Sequence, residues 1–179
     1  MSLKDITKDL HADAERTVFA KKLVTGTFTT EEYANYLWQM VLVYNGIENA
    51  ANSQGMLKNL PDIERAHKIY QDCMELVGPN HNLKWLPVTI EYYQYLMELN
   101  YSERKHQVKA HLYCRHMGDL FGGQIIAKKC PGAGRFYQFK DAENLKMAIR
   151  AELTDDLGDE ARVAFDWAIK LMKDMHRDE

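Results

Sequence analysis

The sequence predicts an all-α fold in a single-domain helical bundle, and two observations lead to this prediction. Long stretches place apolar residues at the helical spacing i, i+3, i+4, whereas no segment shows the alternation of a strand closed by hairpin turns. Only four prolines and ten glycines occur in 179 residues, so these stretches stay unbroken. We expect one domain over residues 1–179, with roughly six to eight helices and no internal repeat.

The composition is that of an ordinary globular protein. Hydrophobic residues make up 46% of the chain and charged residues 27%, and the net charge of −3 gives no argument for binding nucleic acid. No run approaches the length of a membrane span, and the charged N-terminal segment lacks the apolar core of a secretory signal. Cys73, Cys114 and Cys130 form no CxxC pair, which fits free thiols in a reducing compartment. We expect a soluble cytoplasmic protein with no membrane or nucleic-acid partner.

The first predicted helix gathers charged groups on one side. At 100° per residue, Lys4, Lys8, His11 and Glu15 share a face. An imidazole with a carboxylate at i+4 is a potential ligand whose orientation and proton the carboxylate sets. Lys4, about 10 Å earlier along the axis, could meet an acidic group on whatever His11 binds. The alternative is a solvated helix face with an ordinary surface histidine.

Three further segments show buried helical faces. The longest follows Thr29 or Thr30, either of which could cap it with Glu32 or Tyr33 following. Its apolar positions are Tyr33, Tyr36, Leu37, Met40, Val41, Tyr44 and Ile47. A second such segment follows Pro87 and a third lies near the C-terminus, with stripes formed by Ile90, Tyr93, Leu96 and Met97 and by Phe165, Ala168, Ile169 and Met172.

The stretch from His111 to Lys129 has helix formers at both ends and glycines in the middle. Gly118, Gly122 and Gly123 fall within six residues, and each interior glycine destabilises a helix by about 1 kcal/mol relative to alanine. A helix with this much glycine usually has a bent backbone, or one pressed close against something flat. Its central carboxylate is Asp119.

Other groups of charged and histidine residues give weaker indications of a binding site. Lys146 and Arg150 share a helix face, which is mildly unfavourable unless an anion lies opposite, although simple solvent exposure also explains such a pair. The histidine spacing does not predict a zinc site. Two ExxH pairs, which occur in di-iron bundles, lie in polar surroundings where a metal core should be apolar. They are Glu64 with His67 and Glu103 with His106.

The segment GDLFGGQ, preceded by HLYCRH, resembles the signature of the heme oxygenase family. The match covers Gly118, Asp119, Leu120 and the GGQ that follows Phe121, with three earlier positions of the signature also in place. The opening LKDITKDLHADAE is similar to the helix whose histidine binds heme iron in that family, and VYNGIE and FYQF also fit. The resemblance covers most of the chain and is weakest over residues 53–99. It implies a bundle of the heme oxygenase type with a kinked, glycine-rich distal helix.

The resemblance also implies a role for each matching residue. His11 becomes the axial ligand of the heme iron, with Glu15 as its partner. Asp119 becomes the residue that orders the distal water for proton delivery during oxygen activation. The resemblance assigns to the distal helix the glycines Gly118, Gly122 and Gly123. It implies four candidates for binding the heme propionates, namely Lys4, Tyr113, Lys146 and Arg150. The implied reaction uses O₂ and electrons to open heme to biliverdin, free iron and carbon monoxide.

The chain looks like the soluble bacterial or cyanobacterial type, including a phage-borne version of it, which implies ferredoxin as the electron donor. It departs from the usual family pattern at positions that bear on the distal water, namely Cys114, His116, Phe121 and Ala168. Two alternatives remain. A heme carrier or sensor would use the same pocket without turnover, and a thiaminase-like or di-iron enzyme of the same fold would need a nucleophilic cysteine or inward carboxylates.

Overall fold

The computed structural model describes residues 2–177, and every regular element in that range is helical. Met1, Asp178 and Glu179 lie outside the described residues, so the predicted domain limits of 1–179 are not tested at either end. The described α-helices are α1 Leu3–Ile6, α2 Lys8–Arg16, α3 Val18–Thr25, α4 Thr30–Ser53, α5 Ala66–Val77, α6 Pro87–Asn100, α7 Val108–Leu120, α8 Gly123–Ile126, α9 Ala142–Ala151 and α10 Gly158–Arg177. Short 3₁₀ turns cover Lys105–Gln107, Arg135–Tyr137 and Asp155–Leu157.

Helix α4 forms the centre of the bundle. Its N-cap is Thr29, whose hydroxyl accepts from the Glu32 backbone while the Glu32 carboxylate accepts from the Thr29 backbone, which confirms the predicted cap. All seven apolar positions predicted for this helix are buried. Helices α5, α6 and α7 pack around it, so α4 contacts the glycine-containing helix α7 from inside the core.

The predicted buried face of α6 is right only in part. Leu96 is buried as predicted, and Tyr93 and Met97 are half-buried. Ile90, however, is 41% exposed, and the buried positions Tyr92 and Leu99 were not predicted. The reason is a buried polar contact, because the Thr89 hydroxyl donates to Gln39 Oε1 of α4 at 2.7 Å. The polar Thr89 therefore lies inside, and the apolar Ile90 next to it is exposed.

The N-terminal segment is not one continuous helix, contrary to the prediction. Thr7 separates α1 from α2, and its hydroxyl donates back to the Leu3 carbonyl at 2.8 Å. Such back-bonding competes with regular helical geometry. Lys4 and His11 therefore lie on two helices, so the spacing expected along a single axis does not apply. These interruptions, together with that of the distal helix, explain why the described residues form ten α-helices rather than six to eight.

Helix α10 connects the N-terminal helices to helices α6 and α7. It packs against α1, α2 and α3 on one side and against α6 and α7 on the other. Its predicted stripe is correct at Phe165 and Ala168, which are buried, while Ile169 and Met172 are half-buried. Among the described residues, no helix has the length and hydrophobicity to cross a bilayer.

Candidate functional site

The glycine-rich stretch is broken, as its composition predicted. Helix α7 ends at Leu120, Phe121 and Gly122 form the break, and α8 begins at Gly123. The amide of Gln124 holds the two halves together, because its Nε2 donates to the carbonyls of Asp119 and Tyr137, each at 3.0 Å. This clamp was missed from the sequence, since nothing in the spacing indicates which backbone groups a glutamine amide will reach.

The glycines of the distal helix differ in what surrounds them. A Cβ on Gly123 would lie 2.7 Å from Cδ1 of Tyr137, so internal packing demands glycine there. A Cβ on Gly118 would meet nothing within 4 Å, and Gly118 is exposed. Packing inside the chain therefore does not explain Gly118. Its helix backbone is open to the close approach of a flat ligand.

Asp119, next to this open surface, turns inward and is only 7% exposed. The Tyr44 hydroxyl donates to its Oδ2 at 2.6 Å. Burial raises the pKa of Asp119 to about 7, against the opposing effects of His116, the Tyr44 hydrogen bond and the charges of Arg115 and Arg65. Asp119 therefore gains and loses its proton near neutral pH.

Several polar atoms near Asp119 are buried without a partner. Within residues 2–177, Nε and Nη2 of Arg115 and the hydroxyl of Tyr137 have no hydrogen-bond partner. The charge of Arg115 helps to lower the pKa of Asp119, and the charge of Asp119 helps to raise the pKa of Tyr137. Buried polar groups of this kind are normally satisfied by water or a ligand. The cluster is therefore suited to hold ordered water beside Asp119.

A buried hydrogen-bonded chain lies beside this cluster. The Tyr92 hydroxyl lies 2.7 Å from His111 Nδ1, and His111 Nε2 lies 2.9 Å from Glu160 Oε1. Tyr95 donates to the same Glu160 oxygen at 2.5 Å. At the inner end, the Arg115 guanidinium lies 5.8 Å from the centroid of the Tyr92 ring. Sequence reasoning found none of these partners, because they come from three separate helices.

His116 has a comparable place in the core. Its Nε2 lies 3.1 Å from Glu48 Oε1, and the Glu48 carboxylate also accepts from the backbone amides of Arg65 and Ala66. Both buried histidines of α7 are therefore fixed by carboxylates. The ExxH pairs, by contrast, are exposed at all four positions and do not form the inward cluster that the di-iron alternative needs.

His11 is presented at the surface of α2. Its side chain is 59% exposed, and Nδ1 lies 3.6 Å from Glu15 Oε1, a contact longer than a hydrogen bond. The Phe165 ring of α10 packs edge-on against the imidazole, with 5.8 Å between the centroids. The predicted pairing of His11 with Glu15 is therefore present but loose, and the imidazole is accessible to a ligand.

The predicted propionate-binding residues are brought together only in part. Lys146 Nζ and Arg150 Cζ lie 4.3 Å and 5.7 Å from the centroid of the Phe121 ring. Burial raises the pKa of Tyr113, while the charge of Arg150 and the side chain of Thr7 act in the opposite direction, which places Tyr113 between α9 and the N-terminal helices. Lys4 is exposed on α1, and no ion pair or hydrogen bond between described residues joins it to this group.

These features fit a flat, anionic, metal-containing ligand such as heme. The open backbone at Gly118 leaves room for a planar face, the accessible imidazole of His11 can bind a metal, and Lys146 and Arg150 can bind carboxylates. Helix α10 packs against both α2 and α7, so one element supports the histidine side and the glycine side.

Comparisons with known proteins agree with this chemistry. The family model described as heme oxygenase matches residues 1–174. Heme oxygenase 1 of Bos taurus is 28% identical, over 97% of this chain and 70% of its own length. Heme oxygenase 1 of Nostoc sp. is 26% identical, over 94% of this chain and 82% of its own length.

Solved structures show the same fold. Heme oxygenase-1 from the cyanobacterium Synechocystis sp. PCC6803, in complex with heme, superposes with a TM-score of 0.87 at 23% identity, covering 98% of this chain and 91% of the other. Heme oxygenase from Leptospira interrogans has a TM-score of 0.82 at 22% identity, covering 97% and 100%. With the family match over nearly the whole sequence, this chain belongs to the heme oxygenase family.

Proposed function

We propose that this chain opens heme to biliverdin, carbon monoxide and free iron, with His11 as the axial ligand of the iron and Asp119 as the distal proton-handling group. Bound heme supplies the iron that binds O₂ and is itself the molecule oxidised. The observation that supports this most strongly is the placement of a buried carboxyl with a pKa of about 7 directly after the open Gly118 backbone. A carrier or sensor would have no use for such a group beside its ligand.

The role of His11 follows from its accessibility. A neutral imidazole is the axial ligand in proteins whose heme binds O₂, and it lacks the electron-donating push of a thiolate ligand. After a small movement that shortens their 3.6 Å separation, the Glu15 carboxylate can accept a hydrogen bond from the Nδ1–H group of His11 and thereby leave Nε2 free for iron. Phe165 supports one edge of the ring and limits its rotation.

The role of Asp119 follows from its burial and its neighbours. A proton donor or acceptor works best when its pKa is close to the working pH, and Asp119 meets that condition. The unpartnered nitrogens of Arg115 and the hydroxyl of Tyr137 are groups to which water beside the carboxyl could bind. Tyr44 keeps the carboxyl in one orientation.

The remaining site residues would bind the periphery of heme. Lys146 and Arg150 lie beside Phe121, and the charge of Arg150 acts on Tyr113. We assign these residues, together with Lys4, to the propionates. Gly118 would allow the distal backbone to approach the face of the macrocycle, while Gly122 and Gly123 allow the break beside it.

We also propose that the electrons come from a reduced ferredoxin and that the protein is cytoplasmic, of the soluble bacterial or cyanobacterial type. Ferredoxins are generally acidic, and Lys4, Lys8, Lys146 and Arg150 provide local positive charge despite the net charge of −3. The similarity to heme oxygenase 1 of Nostoc sp. supports the bacterial or cyanobacterial type. The three free cysteines support a reducing compartment.

The test is to add hemin to the purified protein, supply O₂ and ascorbate, and record absorbance spectra while extracting the pigment for chromatography. We expect the heme absorbance to decline as biliverdin appears, and carbon monoxide and chelatable ferrous iron to be released with it. An unchanged heme spectrum with a stable oxygen complex would identify a carrier or sensor instead. Failure to bind heme at micromolar concentration would favour a non-heme enzyme of this fold.

A further inference from the structure

Phe121 holds two cations over its aromatic ring. The ammonium of Lys146 lies 4.3 Å from the ring centroid and the guanidinium carbon of Arg150 lies 5.7 Å from it. Both distances fall within the range of cation–π attraction. The ring is 49% exposed and stands at the break between α7 and α8, so it lies at the outer edge of the distal helix.

Lys146 is unusually well covered for a lysine, with a side chain only 14% exposed. Its Nζ also lies 2.7 Å from Glu143 Oε1, but Glu143 is 80% exposed and can provide little cover. Helix α9 directs Leu145 and Ile149 into the core. The adjacent residues Lys146 and Arg150 are thereby carried to the edge where Phe121 lies.

The ring also offsets the repulsion between Lys146 and Arg150. Two cations at i, i+4 on a helix repel one another, and flexible side chains would normally spread into solvent. An aromatic face attracts both cations without neutralising them. The pair is therefore held together with its charge available to an incoming anion, which lowers the ordering cost when a ligand with carboxylates binds.

We propose that Phe121 is a positioning residue, which holds Lys146 and Arg150 side by side to bind the two carboxylates of heme. It thereby sets the in-plane rotation of the bound macrocycle. This inference rests on the proposed role of the two cations toward heme. Both carboxylates of heme lie on one edge of a nearly symmetric molecule. Fixing that edge determines which carbon bridge faces the distal helix.

The experiment compares Phe121→Leu, which keeps apolar bulk but removes the aromatic face, with Phe121→Tyr, which keeps that face. Tyr101→Leu is the matched control, because Tyr101 is an aromatic residue that is 87% exposed on another part of the surface. The readouts are the biliverdin isomer ratio by chromatography and the ratio of heme orientations from methyl proton resonances of the cyanide-bound ferric complex. Melting curves establish that each variant is folded.

We expect Phe121→Leu to raise the share of the minor orientation about fivefold, the effect of losing one cation–π contact, and to shift the isomer ratio with it. Phe121→Tyr and Tyr101→Leu should match the parent protein. In the background that carries both Lys146→Ala and Arg150→Ala, Phe121→Leu should have little further effect, because the ring acts through those two cations. With heme dimethyl ester, which lacks free carboxylates, the effect of Phe121→Leu should disappear.

The contrary outcomes separate this inference from the proposed function. If Lys146→Ala changes the orientation ratio and Phe121→Leu does not, the positioning role is overturned while the carboxylate-binding role survives. An equal effect of Phe121→Leu on the dimethyl ester would show steric exclusion and would also overturn it. If Lys146→Ala and Arg150→Ala are both silent, the carboxylate-binding role and the positioning role fail together.

Discussion

The two sides of the candidate heme site are built in opposite ways. His11 is exposed on a nine-residue helix that follows a break at Thr7, and its nearest carboxylate contact is 3.6 Å long. Asp119 is buried beside Tyr44 and Arg115, in a hydrogen-bonded region that reaches α4 through Tyr44. The proposed iron-binding side can therefore adjust to its ligand, whereas the proposed proton-handling side is fixed before any ligand binds. We infer that binding tolerates movement of the histidine but that the chemistry depends on the preorganised distal side.

The largest expected effect of a single change is on His11. His11→Ala should abolish biliverdin formation, a loss of at least about a hundredfold, while weaker heme binding persists because burial of the macrocycle contributes to affinity. Because His11 is exposed, the free energy of unfolding should change by less than about 0.5 kcal/mol. Added imidazole should partly restore turnover.

The matched control is His67→Ala, which removes an exposed histidine from α5. It should leave heme absorbance and turnover unchanged. Full activity of His11→Ala without imidazole would show that another residue binds the iron.

Asp119 should make stability depend on pH. The unfolded carboxyl ionises near pH 3.8, whereas the folded one keeps its proton until about pH 7. The unfolded state then binds fewer protons in this window, so the free energy of unfolding falls as pH rises from about 4 to 7. Asp119→Asn should remove this slope and exceed the parent by about 2–4 kcal/mol at pH 8.

Urea unfolding at a series of pH values measures this difference. At pH 4 the two proteins should be nearly equal, because Asp119 is protonated in the folded state and half protonated in the unfolded one. Parallel curves for parent and variant would mean that Asp119 is ionised in the folded protein throughout, contrary to the burial argument.

A smaller contrast is expected between two glycines of the distal helix. Gly123→Ala places a methyl group 2.7 Å from the Tyr137 ring and should destabilise the protein by about 1–3 kcal/mol. Gly118→Ala meets nothing within 4 Å and should stabilise the free protein by up to about 1 kcal/mol through helix propensity. The same methyl group should weaken heme binding, as measured by absorbance titration.

The two variants act as controls for each other. Equal stability losses would show that the surroundings of Gly118 are as crowded as those of Gly123. Unchanged heme affinity in Gly118→Ala would show that the macrocycle does not approach this part of the backbone.

Local patterns predicted much of this molecule, and long-range contacts account for most of what they missed. The break in the distal helix, the cap at Thr29 and the pairing of His11 with Glu15 all follow from residues close in sequence. The hydrogen bond from Tyr44 to Asp119 joins positions 75 residues apart, and no periodicity encodes it. The prediction for Ile90 of α6 was wrong for a related reason, because the neighbouring buried threonine looks like a surface residue until its partner is known.

We expect Asp119 to control the oxidation of heme and not its binding. The direct measurement is the amount of biliverdin formed per heme in a single turnover with ascorbate, for the parent and for Asp119→Asn, together with their heme affinities. The asparagine keeps the size of the side chain and an acceptor for Tyr44 but cannot exchange a proton. We expect heme affinities within about threefold and a biliverdin yield at least tenfold lower in the variant. A normal yield from Asp119→Asn would contradict the account, because the proton would then reach the site without this carboxyl.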